Sequence, residues 1–145
     1  MFKHILIPTD GSELSMAAVD KGIELAKEIG AKVTGLHVIP DYQAIGARME
    51  MVEATREVYM AAAKQRAELA IDAVRQRAKS AGVDCNVKTL INDHPYRAII
   101  DTAKDRQCDL IVMASHGRSG LSGILLGSET HKVVTHTNLP VLVYR

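Results

Sequence analysis

The sequence DLIVMASHGRSGLSGILLGSET, residues 109–130, joins a candidate strand, a glycine-rich loop and the start of a helix. Its apolar run from Leu110 to Ala114 is bounded by polar residues, which is typical of a strand buried on both faces. A Gly-Ser pair at 127–128 stands where the helix is expected to begin. This succession exposes backbone N–H groups and the positive end of a helix dipole. The segment therefore predicts an anion-binding site at the end of a buried strand.

Two common phosphate-binding motifs do not fit this loop. A Walker A loop needs a Lys after its last glycine, and none follows Gly127. The dinucleotide fingerprint opens with Gly-x-Gly, whereas Gly117, Gly120 and Gly123 stand at intervals of three. The apolar residues 124–126 are expected to turn part of the loop back. The loop thus belongs to a different class of anion site.

Outward from this loop, the chain alternates short apolar runs with helical patterns. Strands are predicted over 3–9, 32–39, 83–91, 109–114 and 139–144, with helices over 12–29, 48–81, 95–106 and 128–137. Ser12 is a favourable N-cap for the first helix, and the segment Asn92-Asp93-His94-Pro95 offers the third a capping side chain with a proline near the first helical position. Gly30 and Gly82 follow the first two helices where a left-handed C-cap is common. The alternation predicts an α/β fold with a parallel sheet covered on both faces.

The second predicted helix is unusually long. Residues 48–81 contain neither Gly nor Pro and are rich in Ala, Glu, Lys, Arg and Met. About 34 residues at about 1.5 Å each would span about 50 Å, which exceeds the depth of a sheet. The first turns of this helix are therefore expected to fray or to pack on a partner.

The two strand ends with the most candidate ligand-binding residues are residues 8–10 and residues 114–117. Ligands of doubly wound sheets bind beyond the carboxyl ends of the strands, where the winding direction reverses. The first and fourth strands must be neighbours if both segments are to line one crevice. The prediction is a single doubly wound five-stranded sheet in the order 3-2-1-4-5, formed by one domain over 1–145.

The composition restricts the possible functions. The chain has 145 residues, 47% of them apolar and 24% charged, with a formal net charge of +1. Such a charge gives no field to attract nucleic acid or a membrane surface. Apolar runs of about five to seven residues are too short to cross a bilayer. With no signal pattern at the start, the prediction is a cytoplasmic protein in which Cys85 and Cys108 stay reduced.

Three segments together resemble the universal stress protein family, and they cover nearly the whole chain. Gly117, nine intervening residues and Gly127-Ser128 match the nucleotide loop of that family, while Ala114 replaces its first glycine. The other matching segments are ILIPTDGS at 5–12, HGRSG at 116–120 and PVLV at 140–143. The resemblance implies the same five-stranded fold, ATP binding at the loop and a dimer.

The resemblance places adenine between Val38 and Met113, with Pro8 and Thr9 alongside. From the residues themselves, Gly127-Ser128 can offer backbone N–H groups and a hydroxyl to phosphate oxygens. Asp10 could accept hydrogen bonds from the nucleotide or hold a metal through water. The predicted nucleotide-binding set is Pro8, Thr9, Asp10, Val38, Met113, Ala114, His116, Gly117, Arg118, Gly127, Ser128, Glu129 and Thr130.

Charge within this set adds a requirement for a cation. Arg118 is the one fixed cation of the loop, so a triphosphate is expected to bring Mg²⁺ or Mn²⁺ bound through its phosphates. Glu129 would oppose phosphate unless it points away or helps to hold a cation. His116 is interpreted as loop structure or as a donor to phosphate, and Thr130 adds a further hydroxyl.

Each of these residues also has a structural interpretation. Ser128 can simply cap the last helix, and Asp10 can form an Asx turn with Gly11. Val38 and Met113 can be ordinary core residues. The methyl group of Ala114 could crowd a ribose packed against the strand end. These alternatives leave open a protein that acts without nucleotide.

The last strand lies at an edge of the predicted sheet, where unpaired N–H and C=O groups invite a partner. The resemblance implies a homodimer through Val141 to Tyr144. No catalytic residues or protein-held metal are predicted, and at most slow ATP hydrolysis is expected. The leading hypothesis is a dimeric, nucleotide-responsive stress or signalling protein. The alternatives are a nucleotide-independent interaction protein of the same fold and a weak ATPase.

Overall fold

The computed structural model describes residues 1–41, 53–118 and 126–145. Five strands and four helices alternate along these ranges. The strands are β1 (His4–Pro8), β2 (Lys32–Ile39), β3 (Cys85–Ile91), β4 (Leu110–Ala114) and β5 (Val141–Tyr144). The helices are α1 (Glu13–Ile29), α2 (Glu53–Ala81), α3 (Pro95–Asp105) and α4 (Ser128–His136).

The strands form one parallel sheet in the order β3-β2-β1-β4-β5, as predicted. Strand β1 pairs with β2 on one side, with Ile5 opposite Val33, and with β4 on the other, with Leu6 opposite Ile111. The winding direction therefore reverses between β1 and β4. Both strands are buried along their entire length, which explains their continuous apolar runs.

Alternating side chains of the sheet enter two cores on opposite faces. Ile5 and Ile7 of β1 pack with Val19 of α1 and Val74 of α2. Leu6, from the same strand, packs on the other face in a core that contains residues of α3 and α4. This two-residue alternation places α1 and α2 on one face and α3 and α4 on the other.

The long helix α2 lies very close to β2. Five of its buried residues are spaced three or four apart, namely Ala63, Ala67, Ala70, Val74 and Ala78, and Ile71 is also buried. Gly35 of β2 accommodates Val74, because a Cβ built on that glycine would lie 2.8 Å from Val74 Cγ1. The prediction of a long helix is confirmed over 53–81, and its first predicted residues, 48–52, lie outside the described residues.

Most of the predicted helix ends are confirmed. The Ser12 hydroxyl accepts a hydrogen bond from Ser15 N, and Gly30 ends α1 with φ = 70°. The predicted cap of α3 is wrong. Asn92 Oδ1 accepts from His94 N at 2.8 Å, and His94 itself occupies the N-cap without a side-chain bond. An amide in the first turn of α3 bonds instead to Glu129 of α4, a long-range contact that local sequence does not reveal.

The two cysteines carry no disulfide, as predicted. Burial raises the pKa of the Cys108 thiol to about 11 and also raises the pKa of Cys85. Both are therefore protonated, unreactive thiols at neutral pH. Among the helices of the described ranges, none combines the length and hydropathy needed to span a bilayer.

Candidate functional site

A cavity of about 870 Å³ opens at the carboxyl ends of β1, β2 and β4. Its size falls within the range of small-molecule pockets. Every residue of the set predicted from the sequence lines it: Pro8, Thr9, Asp10, Val38, Met113, Ala114, His116, Gly117, Arg118, Gly127, Ser128, Glu129 and Thr130. The cavity lies at the reversal between β1 and β4, which is where α/β sheets bind ligands.

Asp10 ties the start of the glycine loop to the end of β1. One carboxylate oxygen accepts from Ser12 N at 2.9 Å and the other from Arg118 N at 2.6 Å. The Arg118 guanidinium also donates to the Asp10 carbonyl at 3.2 Å. Gly117 permits this contact, since a Cβ there would overlap the carboxylate oxygen that bonds Arg118. Asp10 thus forms its predicted turn and also positions the loop.

The hydrogen bonds of Asp10 keep its carboxyl ionised. Burial on its own would raise the pKa of Asp10, but hydrogen bonds from the Ser12 side chain and amide and from the Arg118 amide outweigh it. The pKa of Asp10 therefore lies below its ordinary value. The carboxylate remains an acceptor, and therefore an anchor for the loop, across the neutral pH range.

The first residues of α4 line the cavity, and their backbone amides come before the first hydrogen bond within the helix. Gly127 rather than Ser128 is the N-cap, and its own amide donates to Ser115 O at 2.6 Å. The first bond within the helix runs from His131 N to Gly127 O at 2.9 Å. The three amides between them lack intrahelical partners, as at any helix start. They form the kind of site that binds phosphate.

Gly127 lies so close to the two residues that follow β4 that even a methyl side chain would be crowded. A Cβ at this position would lie 3.0 Å from His116 Cα and Cβ and 3.3 Å from Ser115 O. The short amide bond to Ser115 O holds the helix start in this position. A glycine is therefore needed here because of close approach, since its φ of −64° is open to any residue.

Two side chains in the first turn of α4 bond to their own protein. The Thr130 hydroxyl, predicted to contact phosphate, donates to Ala114 O at 2.9 Å and holds α4 against β4. Glu129 accepts from Tyr96 N at 2.9 Å and from Lys132 Nζ at 3.3 Å. The charge of Glu129 is thus compensated by α3 and Lys132, which removes much of its repulsion toward a phosphate.

Three of the four residues expected around adenine lie on one side of the strand ends, whereas the hydroxyl of the fourth, Thr9, lies 2.7 Å from the Ser15 hydroxyl of α1 on the other side. Met113 belongs to the core on the α3 and α4 face, and Val38 packs against that core. Pro8, which follows Leu6 and Ile7 in the strand alternation, projects to the same face. Both the core and the ligand-lining interpretations therefore hold for Val38 and Met113, because the cavity is the open end of that core.

Several lining residues escaped the sequence analysis. They are His37 and Ile39 of β2, Tyr59, Ala63 and Arg66 of α2, Pro95 and Ile99 of α3, and His131 and Lys132 of α4. No local motif marks them, since they reach the cavity through the packing of the helices. His37 had one available signal, its position directly before the predicted adenine contact Val38. Arg66 and Lys132 bring two further cations to the cavity besides Arg118.

The described residues contain no group of three His, Cys, Asp or Glu side chains that could hold a metal ion. Part of the glycine loop, 119–125, lies outside the described residues, and with it Gly120, Gly123 and the predicted turn through 124 and 125. Within the described ranges, the site therefore offers backbone amides, basic side chains and an apolar wall.

Comparison with known proteins gives a single result along the whole chain. Residues 1–145 match the universal stress protein family. The universal stress protein MJ0531 of Methanocaldococcus jannaschii is 32% identical over 145 residues, covering 100% of this chain and 83% of that protein. The universal stress protein YxiE of Bacillus subtilis is 30% identical, and the match covers 100% of both chains.

Solved structures share the fold. The structure of MJ0577 superposes with a TM-score of 0.87 at 29% identity, covering 99% of this chain and 96% of that one. UspA from Lactobacillus plantarum gives a TM-score of 0.81 at 28% identity, covering 99% and 97%. Two more distant universal stress proteins of this fold were solved with cAMP and, from Archaeoglobus fulgidus, with dAMP, at 23% and 18% identity.

Proposed function

The chain belongs to the universal stress protein family, and from that membership we propose that it binds ATP in the cavity at the strand ends. The bound nucleotide would act as a signal in a homodimer rather than as the substrate of a catalytic site. Two proteins of the same fold hold the adenine nucleotides cAMP and dAMP, which supports this class of ligand.

One observation carries the proposal. The residues predicted from the loop, from β1 and from β2 are far apart in the sequence, yet all of them line one cavity. The cavity has an apolar wall at Val38 and Met113 for a base and unpaired amides at the start of α4 for phosphates. This division into an apolar end and an anion-binding end matches the chemistry of a nucleotide.

The charges of the cavity also fit a polyphosphate. Arg66 and Arg118 line it, while the carboxylate of Asp10 accepts backbone hydrogen bonds and that of Glu129 is paired with Lys132. With no three-ligand cluster among the described residues, Mg²⁺ or Mn²⁺ would be held by the phosphates of the nucleotide.

The test is calorimetric titration of ATP with Mg²⁺ into protein that has been unfolded, washed free of nucleotide and refolded. We expect saturable binding with one nucleotide per chain and a matching rise in thermal stability. Absence of both effects would leave the nucleotide-independent alternative. Phosphate release that depends on both metal and protein would favour the ATPase alternative.

The dimer is the second part of the proposal, and the exposure of β5 supports it. Strand β5 pairs with β4 at one edge of the sheet, and its residue Leu142 is 42% exposed although it sits in an apolar strand. The central strands β1 and β4 are buried throughout, so β5 is less covered than the middle of the sheet. A second copy related by a two-fold axis would cover it.

Leu142→Asp should convert the dimer to a monomer. The two-fold axis places the new charge in the interface twice, so the dimer dissociation constant should rise by at least roughly 100-fold. Sedimentation equilibrium measures this change. Ile91→Asp is the matched control, since Ile91 is 49% exposed on β3 at the opposite edge. Dissociation by Ile91→Asp and not by Leu142→Asp would contradict the proposal and place the interface at the β3 edge.

A further inference from the structure

His37 is a buried histidine in the wall of the cavity, and one of its ring nitrogens has no partner within the described part of the chain. The residue is 7% exposed, and its Nδ1 is shielded from solvent without a hydrogen bond. A buried nitrogen without a partner is costly, so such a group calls for an explanation. The sequence analysis assigned His37 no role in the nucleotide site.

The position of His37 follows from the alternation of β2. Gly35, His37 and Ile39 share one face of the strand, and Gly35 contacts Val74 of α2. Ile39 packs with alanines of the same helix. The His37 ring is therefore enclosed between the sheet and α2, on the opposite side of the strand from Val38, while still lining the cavity.

Charged groups approach His37 from three elements. Burial has the largest effect and lowers the pKa of His37. The carboxylate and backbone of Asp10 raise this pKa, whereas the guanidinium groups of Arg118 and Arg66 lower it. The partner of His37 on β3 is Thr89, which is uncharged, and the phenol of Tyr59 on α2 lines the same cavity. The net result is a pKa below the ordinary value, so the ring is neutral at neutral pH in the free protein.

A nucleotide in this cavity would raise the pKa of His37. Its phosphates add between one and several negative charges in the enclosed space that His37 lines, where screening by water is reduced. Negative charge favours the imidazolium form, in which both ring nitrogens are donors, including the Nδ1 that has no partner among the described residues. The arginines that oppose protonation in the free protein would then be partly neutralised by the phosphates.

We propose that His37 is the proton-binding residue of the nucleotide site, so that an anionic nucleotide binds together with a proton from solvent and binds more tightly as the pH falls. This inference rests on the proposed nucleotide function. It makes the signal carried by the bound nucleotide sensitive to pH, with the free protein favoured on the alkaline side.

The dependence of the nucleotide affinity on pH has a thermodynamic limit. Uptake of one proton changes the association constant by at most about tenfold per pH unit, between the pKa of His37 in the free and bound states. From about pH 8 to about pH 6 we expect the affinity to rise by about three- to tenfold. Calorimetric titrations of nucleotide into the protein, at one pH in PIPES and in ACES, measure the number of protons taken up. The two buffers differ in ionisation enthalpy, so the observed heat differs between them in proportion to that number.

The choice of nucleotide removes one ambiguity. The terminal phosphate of ATP itself titrates near neutral pH, whereas the phosphodiester of cAMP keeps one fixed charge. Proton uptake with cAMP as well as with ATP therefore belongs to the protein. The ring signals of His37 in the NMR spectrum report the same event directly, and we expect its pKa to rise when either nucleotide is added.

In His37→Gln, nucleotide binding should lose both its proton uptake and its pH dependence. The matched control is His4→Gln, because His4 is 5% exposed, also has an unpartnered Nδ1, and lies at the opposite end of the strands outside the cavity lining. Uptake should persist in that variant. It should persist also in His131→Gln, a histidine that lines the cavity but lies outside the predicted nucleotide-binding set.

The outcomes separate the two proposals. Nucleotide binding without proton uptake, or uptake that survives His37→Gln, overturns the role of His37 and leaves the nucleotide site standing. Loss of uptake in His131→Gln alone would move the role to that histidine. No binding of either nucleotide at any pH overturns the proposed function and the inference together. If His37→Gln does not fold, the NMR titration of the unmodified protein decides.

Discussion

Gly127→Val should abolish ATP binding, with an affinity loss of at least roughly 100-fold, while the dimer persists. A Cβ at Gly127 would already lie 3.0 Å from His116 Cα, and valine adds two methyl groups. The start of α4 must then move away from β4, which displaces the amides that face the phosphates. Calorimetric titration of ATP with Mg²⁺ measures the loss, and sedimentation measures the dimer.

A destabilised protein could also lose ligand binding, so the control must lose stability without touching the site. Gly82→Val serves this purpose. Gly82 has φ = 73°, and a Cβ at this position would meet no atom within 4 Å, so the substitution costs about 1–2 kcal/mol of backbone strain. It follows the end of α2, at the opposite end of the sheet from the cavity. ATP binding by Gly127→Val at normal affinity would exclude the start of α4 as the phosphate site.

Asp10→Ala should lower both the stability and the affinity for ATP. The substitution leaves the amides of Ser12 and Arg118 without their acceptor, at a cost of about 1–3 kcal/mol in the free energy of unfolding. It also releases the start of the glycine loop from β1. We expect the affinity for ATP to fall by roughly 10- to 100-fold, because binding must then order the loop.

Asp109→Ala is the matched control for this effect. The Asp109 carboxylate accepts from Lys3 N at 2.8 Å and from His4 N at 2.9 Å, so it holds two backbone amides as Asp10 does. It lies before β4, at the opposite end of the sheet from the cavity. Chemical denaturation should show a stability loss in both variants, and calorimetry an affinity loss in Asp10→Ala alone. Equal affinities in the two variants would contradict the positioning role of Asp10.

A further variant separates a positioning role of Asp10 from direct contact with ligand. Asp10→Asn keeps one acceptor oxygen and the size of the side chain but removes the charge. If Asp10 acts by holding the Arg118 amide, Asp10→Asn should recover part of the affinity lost in Asp10→Ala.

Local sequence patterns determined the framework of this protein. The apolar runs of β1 and β4 are those of strands buried on both faces, and Ser12 and Gly30 set the ends of α1. The need for one crevice at Pro8 to Asp10 and Ala114 to Gly117 fixed the strand order. The strand and helix ends follow from short-range physics, namely side-chain alternation and capping, whereas the strand order follows from the general rule that ligands of α/β sheets bind where the winding reverses.

Contacts between distant segments were decided by the tertiary structure. Glu129 reaches the first turn of α3, and the Thr130 hydroxyl bonds to Ala114 O, so two residues predicted from the loop hold the fold as well as line the site. Helix α2 brings Arg66 to the cavity because small residues let it pack closely on β2. The burial of His37 beneath that helix has the same cause. The packing of the helices on the sheet decides which of their residues reach the strand ends. A pattern within one segment of the sequence carries no information about that packing.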